Sequence, residues 1–187
     1  TYRVAVDTAA RLGAVVGETI VDLQQLGVAF DLALPASMLE FIDLGPAVIE
    51  PVSKLLNRAA DEWPIGTARP LANVKLLAPI PRPRKNIFGI GLNYIDHVAE
   101  SAAALDTSPD LPREPVIFTK PPTAVIGPDE PILHDARITQ QLDWEVELAV
   151  VMGTRAKRIA REDALRYVFG YTLLIDMSAR DCRRAGQ

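Results

Sequence analysis

Cysteine is almost absent from this chain: Cys182 is the single one among 187 residues. One cysteine forms no internal disulfide, and such usage is typical of proteins from a reducing compartment. Long apolar runs are missing too, since no stretch approaches the roughly 20 apolar residues that a membrane-spanning helix needs. The N-terminus also lacks the pattern of a secretory signal peptide. We therefore expect a cytoplasmic protein with no membrane partner.

An excess of basic residues is likewise lacking. The net charge is −4 and the sequence pI is about 5.2, which argues against a nucleic-acid-binding surface. With 49% hydrophobic and 24% charged residues, the composition is that of an ordinary globular protein. The length suits one domain, or a small domain followed by a medium one.

Residues 1–72 read as a small α/β domain. The stretch "RLGAVVGETIVDL" predicts a β-hairpin around Gly17, because β-branched residues flank the glycine on both sides. Two segments have helical spacing, "SMLEFIDLG", which Gly45-Pro46 stops, and "AVIEPVSKLLNRAADEW", which Pro51 interrupts. No chemically suggestive cluster occurs here, so we assign this domain no catalytic role.

Residues 73–187 read as a second, β-rich domain. It begins with the stiff, proline-rich passage "LAPIPRPRKN". Helical spacing is found only around residues 94–105 and 161–167. The predicted strands are "NIFGIG", "PVIFTK", "TAVIG", "PILH", "LDWEVELAVVM" and "YVFGYTLLID". Many short strands with proline and glycine between them favour a roll, barrel or sandwich of the α+β class. Because the chain stops just after a strongly apolar strand, we expect it to be part of a longer protein.

The strand "LDWEVELAVVM" carries carboxylates on one face. Its even positions are apolar, whereas its odd positions give Asp143, Glu145 and Glu147, followed by Ala149 and Val151. Successive carboxylates on that face are about 7 Å apart and repel one another unless a cation lies among them. A solvated acidic face is the plainer alternative. The change from acidic to apolar along the face favours a partly enclosed pocket for Mg²⁺, Mn²⁺ or Ca²⁺.

Asp176 is the candidate third ligand of that ion. It follows the uncharged run "VFGYTLLI", where burial of a carboxylate is costly unless something pairs with it. Two other interpretations stay open, since Asp176 could cap a helix formed by "MSARD" or pair with Arg180.

One of the two histidines suggests acid/base chemistry. His97 and Glu100 lie three residues apart in a segment with helical spacing, so that they share one helix face. A carboxylate beside an imidazole orients it as a general base; an exposed pair without function is the alternative. His134 has no comparable context and is interpreted as structural.

Two further motifs carry less information. Gly89-Ile90-Gly91 lacks the third glycine and the βαβ context of a dinucleotide-binding fingerprint. Lys120 ends a strand and suits either a substrate anion or a plain surface position.

Taken together, four motifs resemble the fumarylacetoacetate hydrolase family over residues 85–181. The motifs are "NIFGIGLNYIDHVAES", "PVIFTKPPTAVIGP", "LDWEVELAVVMG" and "YVFGYTLLIDMSARD". The resemblance implies a mixed β-roll catalytic domain behind a small N-terminal α/β domain, and a homodimer that binds a divalent ion, typically Mg²⁺. Family members continue for roughly another hundred residues, which carry a catalytic lysine and the remaining strands.

The same resemblance implies roles for individual residues. Glu145, Glu147 and Asp176 correspond to the metal ligands, and His97 with Glu100 to the dyad that activates water. Lys120 and Arg180 fall in matching motifs and are candidate substrate-binding residues. Arg183 stands where members often have glutamine, and it would suit a substrate with an additional carboxylate.

The resemblance also implies a reaction. The leading hypothesis is a metal-dependent hydrolase that cleaves a C–C bond in a small dicarbonyl acid of the acylpyruvate type through a metal-bound enolate. An isomerase, decarboxylase or hydratase of 2-oxo or 2-hydroxy dienoates is the alternative within the family. A non-catalytic metal-binding homologue is the alternative from another class.

Overall fold

The computed structural model describes residues 1–4, 9–94 and 112–182. Within them, the α-helices are α1 (Leu23–Ala29), α2 (Met38–Asp43) and α3 (Ile49–Leu56). The shorter strands are β1 (Tyr2–Val4), β2 (Gly13–Val16), β3 (Thr19–Asp22), β4 (Ala68–Pro70), β5 (Val74–Leu76), β6 (Ile87–Gly91) and β7 (Val116–Lys120). The two long strands are β8 (Leu142–Met152) and β9 (Val168–Ala179). Single-turn or short 3₁₀-helices span Pro46–Val48, Ala60–Glu62, Leu71–Asn73, Pro122–Ala124, Arg161–Tyr167 and Arg180–Cys182.

The chain divides into two compact units. One contains Thr1–Ile80 together with the segment from Gly127 onward, and the other is Pro81–Ile126. The domain boundary expected near residue 72 stays a prediction. Helices and several small antiparallel sheets occur together, so the α+β class expected from the sequence is confirmed.

The predicted hairpin around Gly17 is present. Strands β2 and β3 pair antiparallel from Gly13↔Asp22 to Val16↔Thr19, and Gly17 turns the chain with a φ of 56°. A two-residue hairpin loop with glycine at its first position matches the twist of the strands that it joins. Strand β4 extends this sheet on the far side of β3, while β1 pairs with β5.

Helix α1 was missed by the sequence analysis. Asp22 caps it, because its carboxylate accepts a hydrogen bond from the backbone N–H of Gln25 at 2.8 Å. Gly27 in its interior lowers the helix propensity of the segment, and for this reason the sequence did not predict a helix here. Packing explains the glycine: a Cβ there would lie 2.3 Å from the carbonyl oxygen of Leu32.

Asp22 is also the centre of a buried hydrogen-bond network. Its Oδ2 accepts from the hydroxyl of Tyr2 and from Nε of Arg11, each at 2.6 Å. Burial acts to raise the pKa of Asp22, but the hydrogen bonds from Arg11, Tyr2 and Gln25 outweigh it and the pKa is lowered. Burial and the adjacent carboxylate raise the pKa of Tyr2 to about 12.

Pro51 does not interrupt α3, contrary to the expectation. It is the third helical residue of α3, which begins at Ile49. The N–H groups of the first turn have no partner within a helix, so proline is tolerated there. Helix α2 ends before Gly45-Pro46, as predicted.

The apolar core of the first unit lies around these helices. Its buried members are Leu12, Val21, Leu23, Leu26, Leu34, Phe41, Val48 and Val52. Phe169 of β9 packs against this cluster, and its ring meets that of Phe41 edge to face at a centroid distance of 5.7 Å. Strand β9 is thereby joined to the core.

Strands β8 and β9 form a long antiparallel ribbon, here called the β8–β9 ribbon. The even positions of β8 are its more exposed face: Trp144 is 65% exposed and Leu148 55%. Leu173, opposite Leu148, is 75% exposed. The carboxylate face is the less exposed one, so the acidic face expected from the sequence is the more enclosed side of the ribbon within the described residues.

Two predicted strands are wrong. "TAVIG" begins in the 3₁₀-helix Pro122–Ala124 and continues without strand pairing, and "PILH" is irregular. Pro122 and Pro128 flank "TAVIG" and Pro131 begins "PILH"; proline lacks the N–H needed for a ladder. The helical segment predicted at residues 161–167 is present as the 3₁₀-helix Arg161–Tyr167. The one expected at 94–105 falls almost wholly outside the described residues.

The second unit is built on the β6–β7 hairpin, paired from Ile87↔Lys120 to Gly91↔Val116. A Cβ on Gly89 would lie 2.2 Å from the ring of Phe118. The glycine therefore makes room for an aromatic ring across the hairpin, which agrees with the rejection of a dinucleotide fingerprint.

Candidate metal centre

Two of the three predicted metal ligands are direct cross-strand partners. Glu145 of β8 faces Asp176 of β9 in the ladder, and residues opposite each other in antiparallel strands point to the same face. Asp176 is buried, at 6% exposure. Glu147 lies on the same face, two residues further along β8 and opposite Leu174.

Asp176 is not a helix cap, one of the alternatives left open. Strand β9 continues three residues past it, to Ala179, so Asp176 lies inside the strand and next to the acidic face.

Arg180 contacts the same acidic face. Its Nε donates to Oδ2 of Asp143 at 2.9 Å, and its Nη2 lies 2.5 Å from Oε1 of Glu145 and 2.8 Å from Oδ2 of Asp143. The hydrogen bond to Glu145 raises the pKa of Arg180, with that to Asp143 adding to it. One guanidinium thus bridges two carboxylates of β8.

The backbone around Arg180 is held against the start of β8. The N–H of Arg180 donates to the carbonyl of Gln141 at 2.9 Å. Next to it, the carboxylate of Asp181 accepts from the hydroxyl of Thr139 and from the N–H of Gln140, the latter at 2.8 Å. These two bonds lower the pKa of Asp181.

Asp181 was missed by the sequence analysis, although it lies inside the quoted motif "IDMSARD". Its partners are about forty residues away in the chain, and no local pattern reports such a contact. His134 belongs to the same region: its Nε2 lies 2.9 Å from the carbonyl of Thr139, which fits the structural role assigned to it.

The carboxylates fit a divalent ion in chemical type and in the face that they share, since oxygen ligands suit Mg²⁺, Mn²⁺ and Ca²⁺. Within the described residues, however, their side chains do not converge on one point where an ion could bind. Among residues 1–4, 9–94 and 112–182, no three His, Cys, Asp or Glu side chains gather closely enough to hold a metal. In this arrangement Glu145 is bound to Arg180 instead.

The other predicted site residues lie in the second unit or outside the described residues. Lys120 ends β7 in the second unit, with its Nζ 5.9 Å from the centre of the Phe118 ring. His97, Glu100 and Arg183 lie outside the described residues. Their roles stay predictions.

Comparison with known proteins identifies relatives of this chain. Residues 86–187 match the family model for the fumarylacetoacetate (FAA) hydrolase C-terminal domain. Oxaloacetate tautomerase YisK of Bacillus subtilis is 40% identical over 173 residues, which are 89% of this chain and 56% of the relative. Oxaloacetate tautomerase fahd2, mitochondrial, of Xenopus laevis is 38% identical over 165 residues, 88% of this chain and 46% of the relative.

A solved structure resembles the chain as well. It is maleylpyruvate hydrolase from Sphingobium sp. SYK-6 in complex with manganese (II) ion and pyruvate, with a TM-score of 0.65 and 28% identity. The match covers 91% of this chain and 56% of that one. The chain therefore spans about half the length of the relatives that it matches.

Within the described ranges, no helix is both long and apolar enough to cross a membrane.

Proposed function

Because this chain belongs to the fumarylacetoacetate hydrolase family, we propose that its full-length protein is an enzyme acting on the enol and keto forms of a small 2-oxo acid. The leading candidate reaction is keto–enol tautomerisation of an oxaloacetate-like 2-oxo dicarboxylic acid. Its support is the naming of two relatives, 40% and 38% identical over nearly 90% of this chain, as oxaloacetate tautomerases.

The structural observation that supports the proposal is the pairing of Glu145 with the buried Asp176. Two carboxylates on the more enclosed face of a ribbon are costly without a cation, and Glu147 lies beside them. We propose that these three residues hold Mg²⁺ or Mn²⁺. A bound ion of this kind would act as a Lewis acid toward the carboxylate and 2-oxygen of the substrate.

His97 and Glu100 supply the proton transfers in this proposal. In tautomerisation, His97 removes a proton from C3 of the keto acid and the electron pair of that C–H bond becomes the C2–C3 double bond. The 2-oxygen gains a proton, so that substrate and product have the same composition. Glu100 orients the imidazole for this transfer.

Hydrolysis of an acylpyruvate is the second candidate, favoured by the structural likeness to maleylpyruvate hydrolase. In that reaction His97 removes a proton from water, and the hydroxide adds to the distal carbonyl. The C–C bond then breaks, with pyruvate leaving as its enol. Each reaction forms an enolate of a 2-oxo acid, with its negative charge on the 2-oxygen, which is why residues of one site suit either.

Metal binding and turnover test the proposal together. The full-length protein is titrated calorimetrically with Mn²⁺, alongside E145Q and the control E162Q, whose side chain lies in the 3₁₀-helix Arg161–Tyr167. We expect binding to be lost in E145Q and kept in E162Q. Unchanged binding in E145Q would contradict the assignment of the metal site.

Two assays on the same samples separate the reactions. One follows the ultraviolet absorbance of enol-oxaloacetate as it converts to the keto form, and the other follows pyruvate release from acetylpyruvate. The variant H97A is expected to keep Mn²⁺ binding and to lose about 10²- to 10⁴-fold in rate. Metal binding by the wild type without either activity would favour an isomerase of dienoates or a non-catalytic homologue.

The roles of Lys120, Arg180 and Arg183 in substrate binding belong to the same proposal, as do a homodimeric assembly and a cytoplasmic location. An acidic substrate suits cationic side chains. Raised KM with little change in kcat for R183Q would support binding by that residue.

A further inference from the structure

We propose that Arg180 is the counter-cation of the metal-free site, and that a divalent ion binding at Glu145 has to displace it. This inference rests on the proposed function, because it concerns the same carboxylates. In this proposal Arg180 acts before the substrate binds: it holds the carboxylate of Glu145 and competes with the ion for it.

The contacts of Arg180 carry the first step. Its guanidinium meets Glu145 at 2.5 Å and Asp143 at 2.8 and 2.9 Å. The side chains of Arg180 and Glu145 are 23% and 24% exposed, so that their attraction is screened less than that of a surface pair. Oε1 of Glu145 is thereby engaged by Arg180.

The contact between Arg180 and Glu145 explains why the carboxylates do not converge on one point. Glu145 and Asp176 face each other and Glu147 follows on the same side, yet within the described part of the chain these side chains do not gather around one point. A guanidinium bound to Glu145 directs its carboxylate toward the side chain of Arg180. An ion that takes this carboxylate must end or share the contact.

The contacts around Arg180 limit how its guanidinium can move when an ion binds. Its backbone is fixed by the bond to Gln141, and its neighbour Asp181 holds Thr139 and Gln140. The base of the side chain therefore stays in place while the guanidinium turns. Asp143 remains its partner, since it accepts from both Nε and Nη2.

Two substitutions are then expected to act in opposite directions on Mn²⁺ affinity, measured calorimetrically on the full-length protein. Removal of the competing charge in R180Q is expected to tighten Mn²⁺ binding by roughly tenfold, because a single and a double positive charge repel each other at this partly buried site. D143N leaves Glu145 as the guanidinium's partner and is expected to weaken binding. R180K keeps the charge and is expected to stay closer to the wild type than R180Q.

A matched Arg–Asp pair in the same unit serves as control. Arg137 binds Asp135 through Nε and Nη2, at 3.0 and 2.7 Å, in the turn before β8. R137Q and D135N change the same charges without touching the ribbon carboxylates, and they are expected to leave Mn²⁺ affinity unchanged. Equal effects of R137Q and R180Q would show a general charge effect and overturn the inference.

Thermal unfolding provides a readout that needs no activity. In chelator, R180Q is expected to melt below the wild type, because Glu145 and Asp143 lose their contacts with the guanidinium. Saturating Mn²⁺ is expected to raise its Tm by more than it raises that of the wild type. Weaker or unchanged Mn²⁺ binding in R180Q, while the wild type binds, overturns the inference.

Failure of the metal site can be told apart from failure of this inference. If the wild type binds no Mn²⁺, the proposed metal site and the competition both fall. A double-mutant cycle of R180Q and E145Q in chelator then decides whether Arg180 is the counter-cation. Additive effects on stability exclude the role, and coupling supports it.

Discussion

Asp22 joins three parts of the first unit through one side chain. It accepts from Tyr2 of β1 and from Arg11, and it caps α1 through the N–H of Gln25. We expect D22N to lower the free energy of unfolding by about 2–3 kcal/mol, because a charged, buried acceptor of several hydrogen bonds is replaced by a neutral one. Urea denaturation at pH 7 measures this loss.

The pH dependence of that loss follows from the direction of the pKa shift. The pKa of Asp22 in the folded state is below its ordinary value of 3.8, so the stability that its charge contributes is complete above that ordinary value. It is lost as the pH falls through the lower, folded pKa. The difference between wild type and D22N should therefore shrink below about pH 4. As a control, E50Q in the exposed pair with Lys54 should change stability by less than about 0.5 kcal/mol.

The sequence identified the ribbon carboxylates by residue type but not their partners. Alternation along β8 put Glu145 and Glu147 on one face, and the structure agrees. The facing of Glu145 and Asp176, and the bridge from Arg180, depend on the register of two strands separated by a fifteen-residue connection. Register is set by packing between the strands, and a single sequence does not state it.

At the scale of elements, Gly27 shows how tertiary contact overrides helix propensity. Alanine favours an isolated helix over glycine by about 1 kcal/mol. A Cβ at Gly27, however, would meet the carbonyl of Leu32 at 2.3 Å and the side chain of Leu34 at 3.0 Å. We expect G27A to destabilise the protein by about 1–3 kcal/mol, as measured by urea denaturation.

Val28 offers a control in the same helix. It is 79% exposed, and V28A is expected to be neutral or slightly stabilising, since alanine is the better helix former. A stabilised G27A would mean that the turn after α1 does not pack on the helix in solution.

The same contrast explains which elements could be predicted. The hairpin at Gly17 and strands β6 to β9 follow from local alternation and turn chemistry. Helix α1 could not be found, because Gly27 serves the packing of Leu32 and Leu34 rather than the helix itself. The segments "TAVIG" and "PILH" have strand-like composition, but no paired strand accepts them within the described structure.

At the scale of the molecule, apolar side chains are distributed unevenly. The buried core lies around α1, α2 and α3 and reaches the ribbon through Phe169. The β8–β9 ribbon instead presents an apolar face that includes Trp144, Leu148 and Leu173, all more than half exposed. Chains rarely expose contiguous apolar patches of this kind without a consequence for binding or association.

We therefore expect L173T to leave the free energy of unfolding of the 187-residue chain within about 0.5 kcal/mol of the wild type, because Leu173 is 75% exposed and threonine is a good strand former. The buried counterpart V21T places a hydroxyl in the core, where Val21 is 0% exposed, and is expected to cost about 1–3 kcal/mol. Urea denaturation compares the two variants, and binding of a hydrophobic dye should fall in L173T alone. A loss of stability in L173T as large as that in V21T would show instead that this face of the ribbon is packed in solution.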